Sequence, residues 1–262
     1  MLDKIRNHGS RLILNKLPKW PIPIVVILLV ALIFFVAEYA SSLVLSFYAL
    51  FQGWTVSRAN NWLQSSITAQ FFYVLLAEVF TVGLVVLILR KFKLALVDIG
   101  LKKPRFVDGG LALIAYPAYL ILYIGLLAIV THFFPQLNVN QSQQIGFNSV
   151  HGTYQLVLTF ISLVILPPFA EEVLFRGFLF EGLKKGMPVI YAAALTCLLF
   201  ASAHLPEGGS SGPFWVGALD IFVLSVALVY LKQKTKSLWP GIFLHSLNNL
   251  IAFVTLFLLT GR

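Results

Sequence analysis

The chain has 262 residues, of which 59% are hydrophobic and only 11% charged, against roughly 25% charged in a soluble domain. That composition excludes a soluble globular enzyme and a disordered chain, and leaves a fold dominated by transmembrane helices. The formal net charge of +9 is read as inner-leaflet loops and contact with anionic lipid rather than nucleic acid. With Cys197 as the one cysteine, no intrachain disulfide can form.

Residues 1–20 carry Lys4, Arg6, Arg11, Lys16 and Lys19 among apolar residues and Trp20. They suit a basic helix lying on the inner leaflet. Seven apolar stretches long enough to span a bilayer follow, at about 22–50, 67–89, 110–134, 153–180, 188–204, 213–231 and 239–260. The first is too long for a signal peptide and reads as an uncleaved anchor. Basic residues test this count. They gather before span 1, at Arg90, Lys91, Lys93, Lys102, Lys103 and Arg105, at Lys184 and Lys185, and at Lys232, Lys234 and Lys236. The alternate segments hold only Arg58 and Arg262. This alternation predicts an all-α bundle of seven spans with the N-terminus cytoplasmic and the C-terminus outside. The expected location is the plasma (cytoplasmic) membrane. The chain divides into the basic segment 1–20, a three-span half over 21–150 and a four-span half over 151–262. Loop 135–152 reads as a solvated external loop.

Ionisable groups within a bilayer are costly and mark function by default. Here they are Glu38, Glu78, Glu171, Glu172, Arg176, His204, Asp220 and His245. Span 4 contains Leu166-Pro167-Pro168-Phe169-Ala170-Glu171-Glu172-Val173-Leu174-Phe175-Arg176. The prolines remove two donors and break or kink the helix. Glu172 and Arg176 are spaced i, i+4 with the acid first, the favourable order for a pair. Glu171, about 100° around the helix, is left to face elsewhere. Span 5 ends Phe200-Ala201-Ser202-Ala203-His204, and span 7 carries His245-Ser246-Leu247-Asn248-Asn249. Within each segment the two outer residues share a helix face. A carboxylate base, a histidine that orients water and two oxyanion donors, His245 and Asn249, are what amide hydrolysis needs. His245 and Asn249 also suit hydrogen bonding between helices.

The three motifs, E-E-x-x-x-R, F-x-x-x-H and H-x-x-x-N in that order on separate spans, resemble the CPBP intramembrane protease family, also called Abi, which includes the CAAX prenyl endopeptidases. The likeness covers about residues 150–255, including the entry Thr235-Lys-Ser237-Leu238-Trp239-Pro-Gly-Ile242. It implies that Glu171 activates the attacking water, that His204 positions it, and that His245 and Asn249 form the oxyanion hole. Glu172, Arg176 and Phe200 would support them. A glutamate-activated water is the expected mechanism, with no cofactor. Glu171, His204 and His245 would be the ligands if a divalent metal such as zinc took part. The expected partner is a membrane-associated or prenylated peptide substrate. The competing readings are a non-catalytic scaffold or bacteriocin-immunity protein, and an ion-coupled transporter using Glu38, Glu78 and Asp220. Gly209-Ser210-Ser211-Gly212 spells the rhomboid G-x-S-G, but sits in a Gly/Ser-rich stretch read as a linker or lid.

One expectation conflicts with a single site. At 1.5 Å per residue from helix ends at Lys184, Met187 and Trp239, Glu171 lies at ~20 Å, His204 at ~26 Å and His245 at ~9 Å. Kinks, tilt, or helix 5 starting below the bilayer would have to close that gap.

Overall fold

A computed structural model describes residues 21–259. The interfacial helix expected over residues 1–20 lies outside them. The described residues form an all-helical bundle: α1 (Pro23–Phe51), α2 (Val56–Ser65), α3 (Ile67–Lys91), α4 (Phe106–Phe133), α5 (Gly152–Leu183), α6 (Val189–Ala203), α7 (Trp215–Thr235) and α8 (Trp239–Phe253), the last continuing to Leu259. Seven helices are long and apolar enough to cross a membrane. They coincide with the expected spans to within about four residues. Their outward faces carry Leu28, Phe35, Ile114 and Ile121, all more than half exposed. Such faces call for lipid, and helices that satisfy their own backbone suit it.

The sequence reading missed α2, which lies in the loop between the first two spans. Thr55 caps its start by accepting from the Arg58 amide at 3.3 Å, and Ser66 caps α3 in the same way. Trp54 and Trp62 pack against each other and against Tyr48, with the Arg58 guanidinium 4.8 Å above the Trp54 ring. This is the amphipathic aromatic chemistry of a bilayer interface.

The core centres on α5. Every residue from Glu172 to Phe180 is buried, packed by α1, α3, α6 and α7. α5 does not break at its prolines. Two π-helical stretches, Ile161–Ile165 and Glu172–Leu179, flank a short α-helical turn, Leu166–Glu171. Before the prolines the Leu166 amide reaches back five residues to the Ile161 carbonyl. The register change absorbs the missing donors without ending the helix.

The depth conflict comes from one wrong premise, that the helix ends are level. Leu238, immediately before α8, donates its amide to the Gly100 carbonyl at 2.9 Å. Ile99 and Leu238 both press on Gly177, where an added Cβ would lie 2.8 Å and 3.4 Å from them. α8 therefore starts beside Gly177, well inside the bundle, with segment 94–101 filling the space beneath. Glu171 stands six residues above Gly177 and His245 seven above Leu238, about 9 Å and about 10 Å of helix rise. The two groups are level.

Candidate active site

Glu172 and Arg176 form the expected pair, with Arg176 Nη1 donating to Glu172 Oε1 at 2.8 Å and both side chains buried. A second guanidinium nitrogen, Nη2, donates to Ser225 Oγ on α7 at 2.6 Å. The guanidinium carbon lies 4.1 Å from the centre of the Phe200 ring, a cation–π contact strengthened by desolvation. Phe200 is thus the floor of the site. Its ring is 4.8 Å from that of His204 and 5.9 Å from that of His245. The F-x-x-x-H motif brings both histidines onto one aromatic support.

The His245 ring stands between the two glutamates. Nδ1 is 3.5 Å from Glu172 Oε1 and Nε2 is 3.7 Å from Glu171 Oε2. These separations exceed direct hydrogen bonds, and Glu171 Oε2, Glu172 Oε2 and His245 Nδ1 are all buried without a hydrogen-bond partner. Buried polar atoms left unpaired are costly, and three such atoms lie on the two glutamates and the histidine that stands between them. The glutamates differ as the helix geometry predicts: the Glu171 side chain keeps 25% of its exposure and Glu172 keeps 1%. Gly241, in the Trp-Pro-Gly entry of α8, makes room for this arrangement. A Cβ there would lie 2.8 Å from Glu172 Oε2.

Asn249 Nδ2 donates to the Leu163 carbonyl at 2.9 Å. The reason is written in the primary structure. An α-helical partner for that carbonyl would be the amide of residue 167 and a π-helical one that of residue 168. Both are prolines, so the carbonyl has no backbone donor and Asn249 supplies one across the helix interface. The side chain so held retains a second N–H.

His204 ends α6. As the last turn tightens, its own amide bonds Ala201 and leaves the Phe200 carbonyl free. His204 Nδ1 lies 2.8 Å from that carbonyl, an acceptor only, so the proton sits on Nδ1 and Nε2 faces away. Nε2 is 4.0 Å from Glu207 Oε1. Among the described residues, no group of three or more His, Cys, Asp or Glu side chains is arranged to hold a metal ion.

Two of the acids outside the motifs have their own partners. Tyr73 donates to Glu38, and Tyr119 donates to Asp220. Glu78 is near enough to both Glu38 and Glu171 for their charges to act on it or be acted on by it. Sequence reasoning missed Ser225 and Glu207. Ser225 carries no motif. Glu207 was passed over within a Gly/Ser-rich stretch that in fact forms a 3₁₀ turn, Leu205–Ser211.

The fold and this cluster define a polytopic helical membrane protein with a buried Glu/His/Arg centre formed by α5, α6 and α8. Residues 153–251 match the family model described as type II CAAX prenyl endopeptidase Rce1-like. The match begins with α5, ends within α8 and contains the three motifs, so the likeness lies in the four-helix half. Neither the curated proteins nor the solved structures yield a match.

Proposed function

We propose that the protein is an intramembrane endopeptidase that hydrolyses a peptide bond of a membrane-associated substrate, with a prenylated CAAX-type peptide as the first class to test. The observation that carries this reading is the convergence of Glu171, Glu172, His245 and Arg176 over the Phe200 ring, within the segment that matches the Rce1-like family.

In this mechanism Glu171 takes a proton from a water, and the oxygen attacks the scissile carbonyl carbon. The oxyanion that forms accepts from His245 Nε2–H and from the Asn249 N–H not used by Leu163. Collapse breaks the C–N bond, and the departing nitrogen takes the proton from Glu171. His204 holds the water through Nε2. The Glu172–Arg176 pair holds the turn that bears Glu171. No step calls on a metal.

The test is cleavage of a quenched prenylated CAAX-type peptide by purified protein in liposomes, with a chelator arm. Cleavage that survives chelation and is lost in Glu171→Gln supports the reading. Cleavage abolished by the chelator and restored by zinc would replace the glutamate mechanism with a metal-dependent one.

A further inference from the structure

The segment between α4 and α5 is exposed along most of its length, as its composition suggests, but it is tethered. Three glutamines tie it to the turn after α6 and to the start of α7. Gln141 Nε2 donates to the Pro213 carbonyl at 3.0 Å, and Gln141 Oε1 accepts from the Val216 amide at 3.2 Å. Gln143 Nε2 donates to Glu207 Oε2 at 2.6 Å. The Gln144 amide donates to the Glu207 carbonyl at 2.7 Å. Further on, the Phe147 amide donates to Gln70 Oε1 at 2.7 Å, and its buried ring joins Ile67, Val164 and Phe253. Gly209 permits the close approach: its φ is +57°, and a Cβ there would lie 2.7 Å from Gln144.

Glu207 is the residue on which this strap and the site meet. The 3₁₀ turn after α6 brings the Glu207 amide back to the His204 carbonyl at 3.2 Å, so its carboxylate returns over the imidazole. One carboxylate oxygen is bound by Gln143, and the other faces His204 Nε2 at 4.0 Å. The carboxylate also lies within electrostatic reach of Glu171. Because Phe200 holds the proton on Nδ1, Nε2 of the neutral ring and Glu207 Oε1 are both acceptors. A separation of 4.0 Å is too long for a direct bond, so the carboxylate acts on the Nε2 edge through its charge and leaves a water there an O–H for Glu171. The arrangement is a histidine with a backbone carbonyl on one nitrogen and a carboxylate beside the other, in which each neighbour helps set the ring's orientation.

We infer that Glu207 is a positioning residue of the site: held by Gln143 of the strap, its carboxylate orients the Nε2 edge of His204 and the water that this edge binds. The inference deepens the proposed endopeptidase reading and rests on it for its kinetic consequence, while its structural half stands on its own. Replacing Glu207 by Gln keeps an oxygen for Gln143 but removes the charge facing His204.

Two readouts separate the inference from the reading it rests on. In protein labelled with ¹⁵N-histidine, the His204 signals are assigned by their loss in His204→Gln. The Nε2 resonance is expected to move in Glu207→Gln and to move less in Gln143→Ala, with Nδ1 unchanged. In the liposome cleavage assay, Glu207→Gln is expected to lower kcat by about 10–100-fold with KM within about twofold, and Glu207→Asp to recover part of the loss. A wild type that cleaves nothing would count against the endopeptidase reading, and the resonance would still decide the role of Glu207. An unmoved Nε2 resonance overturns the inference, as does an unchanged kcat. Should Glu207→Gln fail to fold, Glu207→Asp and Gln143→Ala carry the same two readouts.

Discussion

Glu171 and Glu172 are neighbours in the chain with opposite surroundings. Glu172 is locked by Arg176, and Glu171 faces the partly open side of the His245 ring. Their replacements should therefore fail differently. Glu171→Gln is expected to lose cleavage by orders of magnitude while thermal unfolding in detergent stays within a degree or two of wild type. Arg176→Met strands a buried carboxylate and should destabilise by about 3–5 kcal/mol, seen as a lower Tm and less folded protein. Asn249→Ala leaves the Leu163 carbonyl without a donor and should cost about 1–3 kcal/mol in addition to its kinetic effect. Removing the cause tests the assignment: in Pro167→Ala the new amide competes for that carbonyl, so the loss of stability from Asn249→Ala should shrink. The Glu172–Arg176 pair was legible from i, i+4 spacing alone. The acceptor of Asn249 was legible in principle, since two adjacent prolines always orphan the carbonyl four and five residues before them. Ser225 and Glu207 were not, because their roles depend on how α7 and the 3₁₀ turn pack.

At the scale of elements, the helices were readable because long apolar runs leave the chain little choice in a bilayer. What was not readable was their relative level. Counting residues from the nearest charges treats every helix end as lying at the membrane surface, whereas α8 begins beside Gly177 over a floor made by segment 94–101. The resulting conflict of ~11 Å between Glu171 and His245 disappears once Leu238 is set against Gly177. The π-helical stretches were equally hidden, although the prolines that provoke the first were in plain view. α2 was lost because a ten-residue amphipathic helix gives a weak signal between two strong ones. This packing makes Gly241 a sensitive position. Gly241→Ala should push Glu172 Oε2 away from its 2.8 Å approach and cost about 1–3 kcal/mol, with a matching fall in kcat. A Tm equal to wild type would show that the carboxylate has more room than the geometry allows.

For the whole molecule, the four-helix half from α5 to α8 holds the buried Glu/His/Arg cluster, and the preceding helices brace it. α1 and α3 pack on the buried stretch of α5, and α4 packs on α7 and α8. The strap joins the halves by tying the α4–α5 segment to the turn after α6. The alternation of basic loops predicts that the N-terminus and the segment Arg90–Arg105 face the cytoplasm. The strap then faces the opposite side. Reporter fusions active only on one side of the membrane, placed after Lys103 and within 135–140, should give opposite signals. Like signals at both would contradict the orientation.

The central claim is that Glu171 drives peptide hydrolysis, and its most direct measurement compares wild type with Glu171→Gln on a quenched prenylated CAAX-type peptide in liposomes. Wild type should cleave the peptide, and the rate should fall by several orders of magnitude in the variant at equal amounts of folded protein. Equal cleavage by the two would contradict it and point to a contaminating protease.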